Sequence, residues 1–391
     1  MNQKKVAIVN SHPTQYFGPL YRYLNQDPDI DITALYCCDV NIRSSYDDQF
    51  KEKIKYDNDM LGGYKSIFLG ARSSKRNIGG FWSLMVPEIW NEIRNGRYDI
   101  VWIHGYSFFA FILALIAAKK SKSKVFLRGE THLRLKRNFL KESLHKIILK
   151  ILFRFYDGFF AIGTANKEYY LKMGVPYEKI FLIPYTIDNS YFYNLTKNSS
   201  ADSIYLDKVN QDIPTILFAS KFMKRKNPLL LLESSKLLSK RNIRHNLVFV
   251  GSGEMENEMR NFIRQNDLKN VFLEGFINQS LLPKIYSESD IFVLPSVNEP
   301  WGLIVNEVMA AGMPVVVSSE VGCVDDLIKH GVNGFKFEAG NSEELSNYLA
   351  KLISDKDLIK EMGLASQTII SRWSYEECRV GLSNALKSSL N

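Results

Sequence analysis

A chain of 391 residues is long enough for two domains of the usual size, about 100–200 residues each. Its 46% hydrophobic and 24% charged residues are those of a folded globular protein, which excludes a disordered or low-complexity chain. The net charge of +8 is moderate and no nucleic-acid recognition module accompanies it, so nucleic acid is not an expected partner.

Lys4 and Lys5 lead directly into an apolar strand over 6–10, where no signal peptide is read, and the expected compartment is the cytoplasm. Further strand runs cover 32–37, 65–69, 100–104, 124–127, 158–162 and 180–184, separated by helical patterns. Such alternation predicts a parallel sheet covered by helices on both faces. The longest apolar run, 108–118, is shorter than the about 20 residues a bilayer-spanning helix needs, and it reads as a buried helix. The four cysteines, Cys37, Cys38, Cys323 and Cys378, have neither disulfide-framework nor zinc-finger spacing and read as reduced thiols.

Three loops of this half end strands and hold groups able to do chemistry. The first contains His12, which could equally cap the helix that follows. The second contains His104. The third is Arg128-Gly129-Glu130, whose two charges are either functional or a mutual structural pair. Over 132–155, Arg134, Lys136, Arg137, Lys141, Lys146 and Lys150 interleave with Leu133, Leu140, Leu144, Ile147, Ile148, Ile151 and Phe155. This basic amphipathic pattern suits an anionic membrane surface, and a domain helix with a solvated basic face produces the same pattern.

The stretch 189–213 turns polar and reads as a linker with room for a short helix. A second strand series follows at 215–219, 246–250, 271–275, 291–295, 315–318 and 334–338. After its first strand come Lys221, Lys224, Arg225 and Lys226, a cationic turn suited to a diphosphate. Gly251-Ser252-Gly253 follows the next strand, where glycines let a backbone approach a ligand closely. The third strand ends at Gly275-Phe276-Ile277. After the fourth, Pro295-Ser296-Val297-Asn298-Glu299-Pro300-Trp301-Gly302-Leu303 turns into a helix that carries Glu307. Unsatisfied N–H groups and the helix dipole make such a terminus receptive to anions. Two carboxylates flanking it suggest a sugar attached to a phosphate.

This last segment resembles the donor-site signature of the retaining GT-B glycosyltransferases of family four, the group 1 transferases. The opening Ser-His-Pro-Thr-Gln-Tyr-Phe, the Leu61–Tyr64 segment and Arg128-Gly129-Glu130 resemble a polysaccharide-cluster subgroup of that family. The resemblance implies an α/β chain of GT-B fold, two doubly wound Rossmann-like domains facing across a cleft. The first would cover 1–188, the linker 189–213, and the nucleotide-sugar-binding domain 214–373. A terminal helix over about 374–391 would pack back on the first domain.

By resemblance, Lys221 and Lys226 would grip the donor diphosphate, with Lys221 standing where the family has arginine, a fork replaced by a point charge. Glu299 would hold the transferred sugar and Glu307 the ribose. Gly251, Gly253, Phe276, Ile277, Trp301, Gly302 and Leu303 would border the nucleotide and phosphates. Glu130 would join Glu299, Lys221 and Lys226 in catalysis, with His12, His104 and Arg128 on the acceptor side.

The implied reaction moves a hexose from a UDP- or GDP-type sugar to a glycan hydroxyl with retention, in surface polysaccharide biosynthesis. The acceptor could be polyprenyl-linked and the protein peripheral on the inner face of the plasma membrane. No metal-ligating constellation is read in the sequence, so no metal or other cofactor is expected. Two alternatives stay open: a GT-B nucleotide-sugar epimerase and a non-catalytic nucleotide-sugar-binding subunit.

Overall fold

A computed structural model describes residues 3–42, 45–47, 49–70, 78–135, 139–197, 204, 205 and 207–390. The chain divides into two compact units, the first made of Met1–Ser45, Ile54–Ile187 and Ser374–Asn391, the second of Tyr46–Lys53 and Asp188–Trp373.

The first unit runs β1 (Lys4–Asn10), α1 (Phe17–Leu24) and β2 (Ile30–Tyr36). Next in the chain is a short hairpin of β3 (Ser45–Asp47) and β4 (Glu52–Ile54), its own two-stranded sheet, of which Tyr46–Lys53 groups with the second unit. Then come β5 (Lys65–Phe68), α2 (Glu88–Gly96), β6 (Ile100–His104), α3 (Phe109–Lys120), β7 (Lys124–Arg128), α4 (Phe139–Phe153), β8 (Gly158–Ala161), α5 (Thr164–Lys172) and β9 (Ile180–Leu182). The main sheet has the order β5-β2-β1-β6-β7-β8-β9 with parallel neighbours. Successive side chains leave a strand on opposite faces. Val9, Val101 and Leu127 therefore pack under α2, α3, α5 and the Leu149 and Phe153 side of α4. Val6, Ile8, Trp102 and Phe126 pack under α1 on the other face.

That second face is completed by the last helix, α14 (Tyr375–Leu390), whose Cys378, Leu382 and Ala385 join the same core. Arg379 Nη1 meets Asp27 Oδ2 at 3.0 Å and Tyr23 donates to Glu376 at 3.0 Å. A Cβ on Gly381 would lie 2.0 Å from the Leu182 carbonyl, so only glycine allows this approach of α14 to β9.

The second unit contains α6 (Asn189–Lys197), β10 (Thr215–Ala219), α7 (Pro228–Lys240), β11 (Asn246–Val250), α8 (Glu256–Gln265), β12 (Val271–Glu274), α9 (Leu282–Ser287), β13 (Ile291–Leu294), α10 (Leu303–Ala310), β14 (Val315–Ser318), α11 (Val324–Leu327), β15 (Gly334–Phe337), α12 (Ser342–Ile353) and α13 (Lys356–Ile370). Its sheet is parallel in the order β12-β11-β10-β13-β14-β15. Every residue of β10, β11, β13 and β14 is buried, as expected of strands covered on both faces. Residues 189–197, inside the stretch read as a linker, form α6, which packs on α9 and α10.

In both sheets the chain leaves a central strand in opposite directions. The switch lies at β1 and β6 in the first unit and at β10 and β13 in the second. Ligands of such sheets bind beyond the C-terminal strand ends at these points. Among the described residues, no helix is long and apolar enough to cross a membrane.

Candidate functional site

At the switch point of the second sheet, the loop after β10 winds into a single 3-10 turn, Lys224–Lys226, and the loop after β13 runs beside it. Val297 N–H donates to the Arg225 carbonyl at 2.8 Å, which fixes one loop on the other. Asn298 takes the left-handed conformation, φ 58°, which asparagine tolerates better than most residues. Gly322 N–H donates to the Glu299 carbonyl at 3.0 Å and Cys323 N–H to that of Trp301 at 3.1 Å. A Cβ at Gly322 would lie 1.9 Å from the Pro300 carbonyl, so the loop after β14 clamps this turn only because glycine stands there.

These constraints aim Glu299 at two cations. Its Oε2 lies 2.6 Å from Lys226 Nζ and 2.6 Å from Arg225 Nη1, and Glu299 and Lys226 are only 7% and 8% exposed. Burial pushes the Lys226 ammonium below its usual range while Glu299 pulls it back. One carboxylate against two cations leaves an excess positive charge at a half-dry strand end. Hydrogen-bonded anions are the groups such a place favours.

Gly302 begins α10 at φ 92°, a backbone open to glycine, and no side chain caps that terminus. Glu307 lies one turn on, 1% exposed, and accepts from the Tyr286 hydroxyl at 2.5 Å. Trp301 is core: its indole N–H donates to Asn306 at 3.0 Å and its ring lies 5.4 Å from Trp373, so only its backbone faces the turn. Gly251, at φ 136°, places its N–H on the Glu274 and Gly275 carbonyls at 3.1 Å each. A Cβ there would meet the Ser220 carbonyl at 2.1 Å.

Phe276 and Ile277 follow β12, half-buried. Lys221 is salt-bridged to Asp47 at 3.0 Å, a partner contributed by the β3–β4 hairpin. Lys226, Glu299, Arg225, Gly302 and Glu307 thus gather around one strand-end turn. In the sequence Arg225 is only one of four cations in that turn. Tyr286, Gly322 and the hairpin carried no sequence signal, since each acts through a contact distant in the chain.

In the first unit, His104 ends β6 and meets the Tyr21 hydroxyl through Nε2 at 3.0 Å, while Asn10 donates to that same hydroxyl at 2.5 Å. His12 bonds Ser11 through Nδ1 at 2.9 Å and does not cap α1, whose N-terminus has no side-chain cap. Arg128 is 2% exposed and caged by aromatic rings, its Cζ 4.6 Å from the Tyr185 ring, 5.2 Å from Phe17 and 5.6 Å from Trp102. Its Nη2 donates to the carbonyls of Ile183 and Pro184 at 3.4 and 3.2 Å. Exposed Glu130 accepts instead from the Tyr185 hydroxyl, so the mutual Arg128–Glu130 pair does not form. Arg128 holds the turn after β9.

Burial brings His12 down to about 4, and burial with Arg128 behind it drives His104 well below 6.5. Both are therefore neutral when folded and free to protonate when unfolded. The unfolded chain binds more protons below 6.5, so stability is full above that pH and lost as pH falls toward 4. Denaturant titrations across this window should lose about 1–3 kcal/mol, and His104→Gln should flatten the slope. An unchanged slope in both His104→Gln and His12→Gln would remove these residues as its cause.

The basic helix read over 132–155 is seen in part. Lys136 and Arg137 lie outside the described residues, as does the side chain of Lys141. From 146 onward, Leu149 and Phe153 are buried, but Ile147, Ile148, Ile151 and Phe155 are 58%, 53%, 52% and 54% exposed beside exposed Lys146, Lys150 and Arg154. Among the described residues, no three His, Cys, Asp or Glu side chains gather as a metal site.

Two parallel doubly wound units, the second with a buried lysine–glutamate pair at its switch point, define a protein of GT-B fold. Residues 207–368 match the family Glycosyl transferases group 1, and residues 57–191 match Glycosyltransferase Family 4. The chain thus carries a group 1 glycosyltransferase domain over 207–368 and a Family 4 glycosyltransferase domain over 57–191. An uncharacterized glycosyltransferase of Methanocaldococcus jannaschii is 37% identical over 38% of this chain and 37% of its own length. An Escherichia coli UDP-Gal:alpha-D-GlcNAc-diphosphoundecaprenol alpha-1,3-galactosyltransferase is 28% identical over 69% of this chain and 70% of its own. The first of these alignments thus spans well under half of the curated relative, the second somewhat over two thirds. The crystal structure of Anabaena HepE in complex with UDP superposes with a TM-score of 0.73 at 16% identity, covering 99% of this chain and 100% of that one.

Proposed function

We propose that this protein moves a hexose from a UDP- or GDP-type sugar to a hydroxyl of a glycan acceptor carried on a polyprenyl diphosphate, with retention of configuration. The observation that carries the reading is the Lys226–Glu299–Arg225 cluster, with Lys226 and Glu299 buried, beside the uncapped start of α10. Its excess positive charge suits a diphosphate that gains charge as the glycosidic bond breaks. Glu299 would then hold the sugar hydroxyls, Glu307 the ribose, and Gly251, Gly253, Phe276, Ile277, Gly302 and Leu303 would border the nucleotide. The departing phosphate oxygen would take the acceptor proton on the same face. His12, His104 and Arg128 are assigned to the acceptor side, and Glu130 to catalysis with Glu299, Lys221 and Lys226. The UDP bound to HepE, and the lipid diphosphate acceptor named for the E. coli relative, support the donor and acceptor classes.

Lys221, Arg225 and Lys226 supply the charge otherwise delivered by a divalent ion, so transfer is proposed to be metal-independent. A thermal-shift screen of nucleoside diphosphates and their sugars tests the donor, because a ligand of the folded state raises stability by RT ln(1 + [L]/Kd). Transfer is then assayed in chelator with the selected donor. No shift with any nucleotide rejects the donor site. Activity lost in chelator and restored by magnesium rejects metal independence, and release of a free epimerised sugar nucleotide points to an epimerase.

We also propose that the Ile147, Ile148, Ile151 and Phe155 surface with its flanking lysines docks on an anionic bilayer. The protein should float with anionic vesicles, and Ile148→Asp with Ile151→Asp should abolish flotation. A wild-type protein that stays in the bottom fraction rejects this.

A further inference from the structure

The β3–β4 hairpin belongs by sequence to the first half of the chain, yet residues 46–53 cluster with the second unit. It lies on the positions assigned above to the donor. Asp47 Oδ2 is 3.0 Å from Lys221 Nζ, Gln49 Oε1 is 2.9 Å from the same nitrogen, and that ammonium sits 4.4 Å above the Phe50 ring. Phe50 in turn meets Phe276 edge-on, centroids 5.0 Å apart at 73°. Between these ends, Ser252 donates to the Phe50 carbonyl at 2.9 Å and also bonds Glu52, and a Cβ on Gly253 would lie 3.0 Å from the Gln49 carbonyl.

A carboxylate therefore stands on the cation assigned to a phosphate, and an aromatic ring stands on the residue assigned to a base. An ammonium has three N–H donors. With Asp47 and Gln49 on it and a phenyl face against it, Lys221 has little left for a diphosphate. The backbone of the strap closes over the glycine turn where a nucleotide would have to approach.

We infer that Asp47 and residues 49–52 form an intramolecular strap that occupies the nucleotide's place and competes with the donor for Lys221 and Phe276. The inference rests on the donor reading given above. Donor binding then includes release of the Asp47–Lys221 pair, and strength at this pair sets how readily the nucleotide enters. Asp47 itself holds the strap in shape, since its Oδ1 accepts from the Gln49 and Phe50 N–H groups at 2.8 and 3.0 Å.

Calorimetric titration of UDP and GDP into the full chain tests this, using wild type, Asp47→Ala, Asp47→Asn, Phe50→Ala, Lys221→Ala and Asp47→Ala/Lys221→Ala, with unfolding midpoints as a control on folding. Asp47→Ala and Phe50→Ala are each expected to tighten nucleotide binding about two- to fivefold, the range of a partly exposed ion pair released from competition. The gain from Asp47→Ala should vanish in the Lys221→Ala background, because the carboxylate then has no cation to withhold. Asp47→Asn, which keeps the turn but removes the charge, should show part of the gain. Binding seen only in the strap variants also supports the strap. Nucleotide binding by wild type that is unchanged or weakened in Asp47→Ala and Phe50→Ala overturns it and leaves the donor reading standing. Absence of binding in wild type and every variant overturns both.

Discussion

Alanine in place of Glu299 is expected to lower sugar transfer by about 10²–10³-fold, the loss seen when one preorganised hydrogen-bonding group is removed from a transition state. The carboxylate is the shared anchor of Lys226 and Arg225, each 2.6 Å away, so its removal releases both cations from their positions. Removing one partner of a buried pair also costs stability, about 3–5 kcal/mol where the other charge stays buried. Lys226 can evade part of this by losing its proton, since burial already depresses its affinity for one. The folded variant then binds fewer protons than the unfolded chain, so its stability should rise with pH toward the ordinary lysine value of 10.5. Glu299→Gln separates the two effects by keeping the shape of the side chain while removing the charge. Full turnover in a folded Glu299→Ala protein would exclude Glu299 from the site.

Lys226→Met is expected to act on the same step from the opposite charge, with a loss of about 10²-fold or more in kcat/KM. Methionine matches the length of the lysine stem, and Glu299 keeps Arg225 as a partner, so folding should survive. Lys226→Arg keeps the charge and should recover part of the activity. Residues that work as a unit give non-additive losses. The double variant Glu299→Ala/Lys226→Met should therefore be little worse than the poorer single variant. Multiplicative losses in steady-state kinetics would mean that the two residues act separately, and the pair would lose its place as one element of the mechanism.

Strand positions were legible because a parallel sheet buried on both faces demands short apolar runs bounded by polar turns. The runs at 215–219 and 246–250 coincide with β10 and β11 residue for residue. The run expected at 32–37 begins two residues earlier, at buried Ile30, because its pairing with Lys4 carries the ladder and the core past polar Asp31. The turn from Glu299 to Gly302 was legible for a local reason: strand, polar turn and helix start are contiguous. Helix α6 was less so, since Asn, Ser and Thr within it are weak helix formers held by packing on α9 and α10.

Charge partners were not legible in the same way. The sequence left Arg128 and Glu130, two residues apart, as a possible pair. In the fold Arg128 turns inward to the carbonyls of Ile183 and Pro184 while Glu130 meets Tyr185. A β-strand sends alternate side chains to opposite faces, but at its end the backbone leaves the ladder and that rule lapses. Asp47 and Lys221 lie 174 positions apart, and nothing in either neighbourhood announces the other.

By itself, then, the sequence determined what depends on periodicity and contiguity: two parallel α/β units, their strand ends, and a glycine-started helix terminus flanked by two carboxylates. Only the tertiary structure decided which cation each carboxylate meets, that Arg225 shares Glu299 with Lys226, and that the 46–53 hairpin belongs to the second unit. The reason is physical. Burial is imposed residue by residue and leaves a pattern in the chain, whereas an ion pair is chosen by proximity after the chain has folded, and many sequences allow it.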